Sequence, residues 1–166
     1  MTANIQTVHG DWHTKISISM KTTKINCSGA IVYALNTKRF LFLHRARGRS
    51  GNLWGLVGGT NEDFETPWEG LTREIFEEIG EISIKKTMPL ETFVSNDSRF
   101  HFHTYLCVIN EEFIPVLNEE HNGYAWVEFG NWPKPLHHGL KNTLQNKINL
   151  NKLETVFKVI DLIEVD

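Results

Sequence analysis

Nothing in this sequence is long and apolar enough to cross a membrane: no apolar run approaches the roughly 20 residues that a spanning helix needs. The first 25 residues also lack the apolar segment of a signal peptide, so the expectation is a cytoplasmic protein without a membrane partner. Positive charge is in short supply too. Lys and Arg number 17 against 20 Asp and Glu, and the net charge of −3 argues against a general nucleic-acid binder. There are only two cysteines, Cys27 and Cys107, far apart, in strand-like surroundings and in no ligand spacing. Two buried free thiols are expected, with nothing to support a disulfide. Low-complexity tracts and internal repeats are missing as well. What remains is 166 residues, 40 % hydrophobic and 22 % charged, enough for one domain over residues 1–166 with a sizeable core and too few for two.

The most informative stretch runs from Gly58 to Gly80. Its second half predicts a helix with clear ends. Thr66 suits the N-cap, Pro67 the first helical position, and Glu69 completes a capping box three residues after the cap. Gly80 supplies a left-handed stop. At about 100° per residue, Trp68, Leu71, Ile75 and Ile79 share one side and are expected to face a core.

Glu74, Glu77 and Glu78 fall together on the other side, with Glu81 beyond them. That face is badly placed for an ordinary helix. Glu74 meets like charges three and four residues on, each pair unfavourable by ~0.2–0.5 kcal/mol. The cluster also lies toward the negative end of the helix macrodipole. A solvated acidic face is the plain alternative; a bound cation would turn the repulsion into ligation.

The spacing carries further. Gly59, Glu65, Arg73-Glu74, the apolar Ile75, Glu77-Glu78 and Gly80 stand at the intervals of the Nudix box, and the chain resembles the Nudix hydrolases. Two positions depart from the usual pattern: Glu81 replaces an aliphatic residue, and Val57 stands where many members have proline. Neither removes a ligand. The resemblance covers residues 25–140, with only the box specific.

It implies an α+β fold, layered α/β/α, with a mixed sheet between helices and a loop–helix–loop motif. It also implies a metal set of Glu74, Glu77, Glu78 and the Gly58 carbonyl, with Glu65 behind it as a weaker or supporting partner. Carboxylates and a carbonyl suit Mg²⁺, with Mn²⁺ as a substitute. Arg73 is expected to orient the glutamates through ion pairs. Glu77 or Glu78 are catalytic candidates, together with a glutamate from a later loop.

That loop lies in Asn118-Glu119-Glu120-His121-Asn122-Gly123, ahead of an aromatic strand over residues 124–129. Glu120 is the leading general-base candidate and Glu119 its near-equal. His121 is a substrate-side candidate, because the loop also looks like that of GDP-mannose mannosyl hydrolases, where a histidine is the base. Their box is degraded, and the complete one here points away from them.

Elsewhere, residues 25–34 and 39–44 predict two strands joined by a turn at 35–38. The basic segment His44-Arg45-Ala46-Arg47-Gly48-Arg49 is either a solvated loop or, through Arg45, a phosphate contact. Trp54 is expected in the core or on a pocket wall. Strand pieces are expected at 82–84 and 90–95, a turn at 96–98 and a partner strand at 100–108. His101 and His103 share a face with Tyr105 but have no third ligand beside them, so a half-exposed strand face or a cleft wall is expected. Helices are expected at 136–146 and at 151–163, the second capped by Asn151. Residues 1–24 read as an extension or an edge strand, with alternation at 16–20.

The reaction implied is hydrolysis of a pyrophosphate bond in a nucleoside diphosphate linked to another moiety, by a monomer or homodimer. ADP-ribose, dinucleoside polyphosphates, FAD, nucleotide sugars and nucleoside triphosphates stay open as the small-molecule substrate. Mannosyl hydrolysis and a non-catalytic nucleotide sensor are the alternatives.

Overall fold

A computed structural model describes residues 24–46, 48 and 51–163, with the side chains of 161–163 left aside. The reading of 1–23 as an extension or edge strand lies outside the described residues, as do Arg47 and Arg49 of the basic segment. Seven strands and three helices follow in the order β1 (Ile25–Ala34), β2 (Arg39–Arg45), β3 (Trp54–Gly55), β4 (Val57–Thr60), α1 (Pro67–Ile79), β5 (Lys86–Val94), β6 (Phe100–Ile109), β7 (His121–Glu128), α2 (His138–Gln145) and α3 (Lys147–Ile163). One mixed sheet holds all seven strands, so the fold is α+β, with helices on both faces. None of the described helices is long and apolar enough to cross a membrane.

β1 is the central strand. Its last eight residues, Cys27 to Ala34, are buried without a break, as a strand covered on both faces requires. Alternate residues serve two cores. Ala30, Val32 and Ala34 pack with Leu71, Ile75 and Ile79 of α1, while Ile31 and Tyr33 pack with Leu140 and Leu144 of α2 and Leu153 of α3. Along one edge β1 pairs with β6 in parallel, from Ile25 opposite Phe100 to Ala34 opposite Ile109.

The other edge is shared, and that sharing builds the site. β2 takes Val32, Tyr33 and Ala34 and then leaves, pairing onward with β7 and β3. β4 takes the vacated stretch, Cys27 to Ala30. A notch therefore opens between β2 and β4, and α1 runs across it.

Several boundaries differ from the sequence reading. The capping box at Thr66 and Glu69 forms in full, but Gly80 adopts φ 85° and ψ −169°, a positive-φ stop with extended ψ that turns the chain out. Trp68 is 36 % exposed and sits edge-on to Tyr105, 5.5 Å away, instead of entering the core. Residues 82–84 form no strand. The backbone first reaches β6 at Lys85, whose N–H donates to Val108, and Ile82 and Ile84 fill space beside the α1 core.

β7 begins at His121, earlier than the aromatic run, because the Glu120 carbonyl already accepts the Ala46 N–H at 2.8 Å. α3 begins at Lys147. Asn146, not Asn151, is its cap, its Oδ1 accepting the Ile148 N–H at 2.9 Å. α2 starts two residues late, since the Pro135 carbonyl and His137 N–H are engaged by the backbone of Trp54.

Candidate active site

Gly58 and Gly59 lie on β4 opposite Gly29 and Ser28 of β1. Both places exclude a side chain. Gly58 has φ +139°, and a Cβ there would stand 2.1 Å from the Ser28 carbonyl oxygen. A Cβ on Gly59 would stand 2.5 Å from Glu74 Oε1. The strand can thus lie directly beneath the acidic helix.

Glu78 comes down from α1 onto this strand. Its Oε2 accepts the Gly58 N–H at 2.7 Å, and its side chain is only 3 % exposed. Burial pushes its carboxyl up to about 8; the Gly58 hydrogen bond opposes that, with smaller contributions from Glu74 and Glu120 raising it and Arg45 lowering it. No Lys or Arg forms an ion pair with it among the described residues, and the His121 ring nitrogen Nε2 stands 3.7 Å from Oε1. The helical wheel placed Glu78 on the outward acidic face. The β4 backbone closes over that part of the helix, which sequence spacing does not show.

Glu74 and Glu77 are held by Arg73. The guanidinium grips Glu65 with two hydrogen bonds, Nε to Oε1 at 2.9 Å and Nη2 to Oε2 at 3.1 Å. Its Nη1 donates to Glu74 Oε1 and Glu77 Oε2, each at 3.1 Å, and Nη2 also reaches the Thr60 carbonyl at 3.0 Å. Glu65 is the main cause of a raised Arg73 pKa, and Arg73 in turn holds the Glu65 carboxyl below its ordinary value. Glu74 is raised, chiefly by burial, against the pull of Arg73. Glu77 keeps half its side chain in solvent.

The rim of the notch is formed by β2 and the segment entering β7. Arg45 Nη2 stands 3.3 Å from Glu120 Oε2, and Glu120 remains 63 % exposed. Glu119 is exposed and makes no hydrogen bond or ion pair among the described residues. His121 turns inward with a side chain 1 % exposed, so the reading of it as a substrate contact does not fit its place in the fold. Burial lowers its pKa, as does Arg45.

Asn118 had no sequence signal. Its Oδ1 accepts the Glu120 backbone N–H at 3.1 Å and lies 3.2 Å from His121 Nδ1. Asn61 was missed likewise; it receives the buried Ser28 hydroxyl at 3.0 Å and shapes the floor under α1. His101 and His103 stand with rings 6.3 Å apart and no third ligand among the described residues. Trp54 packs at the edge of the α2 core, with the His44 ring 4.8 Å from its own. A cavity of about 640 Å³ between β5 and α3 opens on the sheet face opposite α1 and includes none of these residues.

Whether the acidic residues fit a cation is decided by Glu78 and Arg73 together. As the side chains stand, no three His, Cys, Asp or Glu among the described residues are gathered closely enough to hold an ion. Arg73 Nη1 takes one oxygen from each of Glu74 and Glu77. The donor chemistry still fits a hard divalent cation, and the buried Glu78 carboxylate lacks a direct positive partner.

A mixed sheet between helices, with an acidic loop–helix motif seated on a glycine pair, defines the class of the fold as α+β. The NUDIX domain model matches residues 26–146, and the chain belongs to the Nudix hydrolase family. A dihydroneopterin triphosphate diphosphatase from Haemophilus influenzae is 31 % identical, the match covering 58 % of this chain and 70 % of that protein. Among solved structures, a MutT NUDIX hydrolase from Burkholderia pseudomallei superposes with TM-score 0.58 at 23 % identity, covering 75 % of this chain and 98 % of the other. A C. elegans Ap4A hydrolase gives TM-score 0.61 at 20 % identity, over 80 % and 98 %. These two likenesses concern the fold.

Proposed function

We propose that this Nudix hydrolase cleaves a pyrophosphate bond in a nucleoside diphosphate carrying a further moiety, with Mg²⁺ as cofactor and Mn²⁺ as a substitute. The observation that carries the reading is Glu78: a carboxylate 3 % exposed, fixed by the Gly58 N–H and flanked by an Arg73-ordered set of glutamates. A buried charge of that kind is costly unless a cation meets it.

Glu74, Glu77, Glu78 and the Gly58 carbonyl would hold the ion, which supplies positive charge against the diphosphate oxygens. Arg73, held by Glu65, would set the directions of Glu74 and Glu77 through its ion pairs. Arg45, 35 % exposed at the rim, is placed to meet a phosphate with its planar fork. Glu120 accepts the proton of the attacking water. Its contact with Arg45 and the influence of its charge on Glu78 and Glu74 favour it over Glu119. Products are a nucleoside monophosphate and a phosphorylated remainder. The burial of His121 counts against mannosyl transfer, which would need that ring at the sugar.

Because one relative is a dihydroneopterin triphosphate diphosphatase, pterin triphosphates join ADP-ribose, dinucleoside polyphosphates, FAD, nucleotide sugars and nucleoside triphosphates as test substrates. The test is chromatography of products from this panel with Mg²⁺ and with EDTA. Mg²⁺-dependent monophosphate from one class supports the proposal and names the substrate. GDP with free sugar, or bound nucleotide with no turnover on any substrate, contradicts it.

A further inference from the structure

We propose, on the reading of Glu74 and Glu77 as cation ligands, that Asn61 is a positioning residue that sets them through Arg73. Asn61 follows the last residue of β4 and opens the loop that leads to α1. Its backbone N–H donates to the Asn26 carbonyl at 2.8 Å, which ties the loop to β1. Its side-chain Nδ2 donates to the Thr66 carbonyl at 3.3 Å. A carbonyl only accepts, so that atom is the amide NH₂ and Oδ1 is the acceptor. Oδ1 takes the proton of the Ser28 hydroxyl, 3.0 Å away on β1 and fully buried. Both ends of the amide are engaged, and its rotation is fixed.

The Thr66 bond closes the loop across its base, and Arg73 is anchored at both sides of that closure. Its Nη2 donates to the Thr60 carbonyl at 3.0 Å and to Glu65 Oε2 at 3.1 Å. Thr60 precedes Asn61, and Glu65 precedes Thr66. The Asn61–Thr66 bond thus sets the separation of two acceptors that one guanidinium nitrogen must meet. From those anchors Nη1 reaches Glu74 Oε1 and Glu77 Oε2, each at 3.1 Å. Every link from the amide to the two carboxylates is a hydrogen bond or a peptide bond between neighbours. The helix also rests on the amide. Gly70 of α1 is buried, and a Cβ there would stand 2.7 Å from Asn61 Cγ, so only glycine lets α1 lie this close. A loop asparagine ordinarily serves only its own turn. Here the closure it makes carries the fork that aims two acidic side chains.

The cation site is read directly, by titrating Mn²⁺ alone into the substrate-free protein and following free Mn²⁺ by electron paramagnetic resonance. Outer partners of metal ligands typically contribute about 10- to 100-fold in affinity, so Asn61→Ala is expected to weaken Mn²⁺ by about tenfold. Lysine at position 73 cannot bridge the same anchors. In an Arg73→Lys background the Asn61→Ala substitution should therefore cost less than about threefold, whereas a purely structural role gives equal losses in both backgrounds. Gly70→Ala favours helix but pushes a methyl against the amide, and should weaken Mn²⁺ by about three- to tenfold.

If Asn61→Ala does not fold, Gly70→Ala decides. Unchanged Mn²⁺ affinity in whichever variant folds overturns the inference. A lowered melting temperature in Asn61→Ala with Mn²⁺ binding intact overturns it too, as does an undiminished loss in the Arg73→Lys background. Wild-type protein that binds no Mn²⁺ would sink the functional reading as well, whereas equal binding by wild type and variants sinks only this inference.

Discussion

Replacing Glu78 by glutamine should stabilise the cation-free protein, and do so more as pH rises. Burial pushes the Glu78 carboxyl from the ordinary 4.5 to about 8. In the folded state it therefore holds a proton between those values that the unfolded chain has given up. The sign follows. The folded state binds more protons in this window, so stability falls as pH climbs through it, levelling off above the folded pKa. The slope approaches ~1.4 kcal/mol per pH unit, and at pH 7 the accumulated cost is on the order of 3 kcal/mol. Glutamine keeps an oxygen for the Gly58 N–H and carries no charge. It also buries an amide NH₂, which offsets roughly 1–3 kcal/mol of the gain.

The net effect at pH 7 is a gain on the order of 1 kcal/mol, or about 2–4 °C in melting temperature for a chain of this size. The sharper signature is the pH dependence, because the amide's own cost does not titrate. Urea melts of both proteins in EDTA from pH 5 to 8 should show the variant's advantage widening steadily. Parallel stability curves would refute the reasoning. Helix spacing alone attributes the penalty to repulsion between Glu74 and Glu78; in the structure burial is the leading cause and Glu74 a lesser one.

Three further outcomes are expected. Gly59→Ala puts a Cβ 2.5 Å from Glu74 Oε1 and should lower kcat/KM by about 100-fold with the fold kept, as circular dichroism would show; full activity would contradict the contact. Arg73→Lys keeps the charge but cannot hold Glu65 with two bonds while reaching Glu74 and Glu77, so turnover should drop by at least about tenfold. Near-wild-type turnover would show that the fork is dispensable. Asn146→Ala removes the α3 cap and should cost about 1 kcal/mol in urea melts without touching turnover. An unchanged midpoint would mean that the cap contributes nothing.

The box helix was legible because its determinants are local. Thr66, Pro67 and Glu69 specify the start within four positions, and the glutamate spacing identifies the family. β1 and β6 were legible from their apolar runs and the turn at 96–98. Glu78's burial was not, because it depends on Gly58 of a strand twenty residues away in sequence. Trp68 kept helical spacing yet missed the core, since at the first turn the floor beneath it is Tyr105 and not an aliphatic layer. Residues 82–84 alternate like a strand but lack a partner, which propensity cannot report. His121 illustrates the same limit. Its loop resembled a substrate-facing one, while the early start of β7 turns the ring inward. Asn151 looked like a cap until Asn146, five residues earlier, took the free Ile148 N–H.

The central claim is that Glu78 serves a pyrophosphate-cleaving site. It is tested most directly by ³¹P NMR of the best substrate with Mg²⁺, comparing wild type with Glu78→Gln. The account predicts a nucleoside monophosphate and a phosphorylated remainder from wild type, and none above background from the variant, whose melting temperature stays at or above wild type. A folded variant that keeps more than about a tenth of wild-type turnover, a loss of only ~1.4 kcal/mol in the barrier, would contradict it.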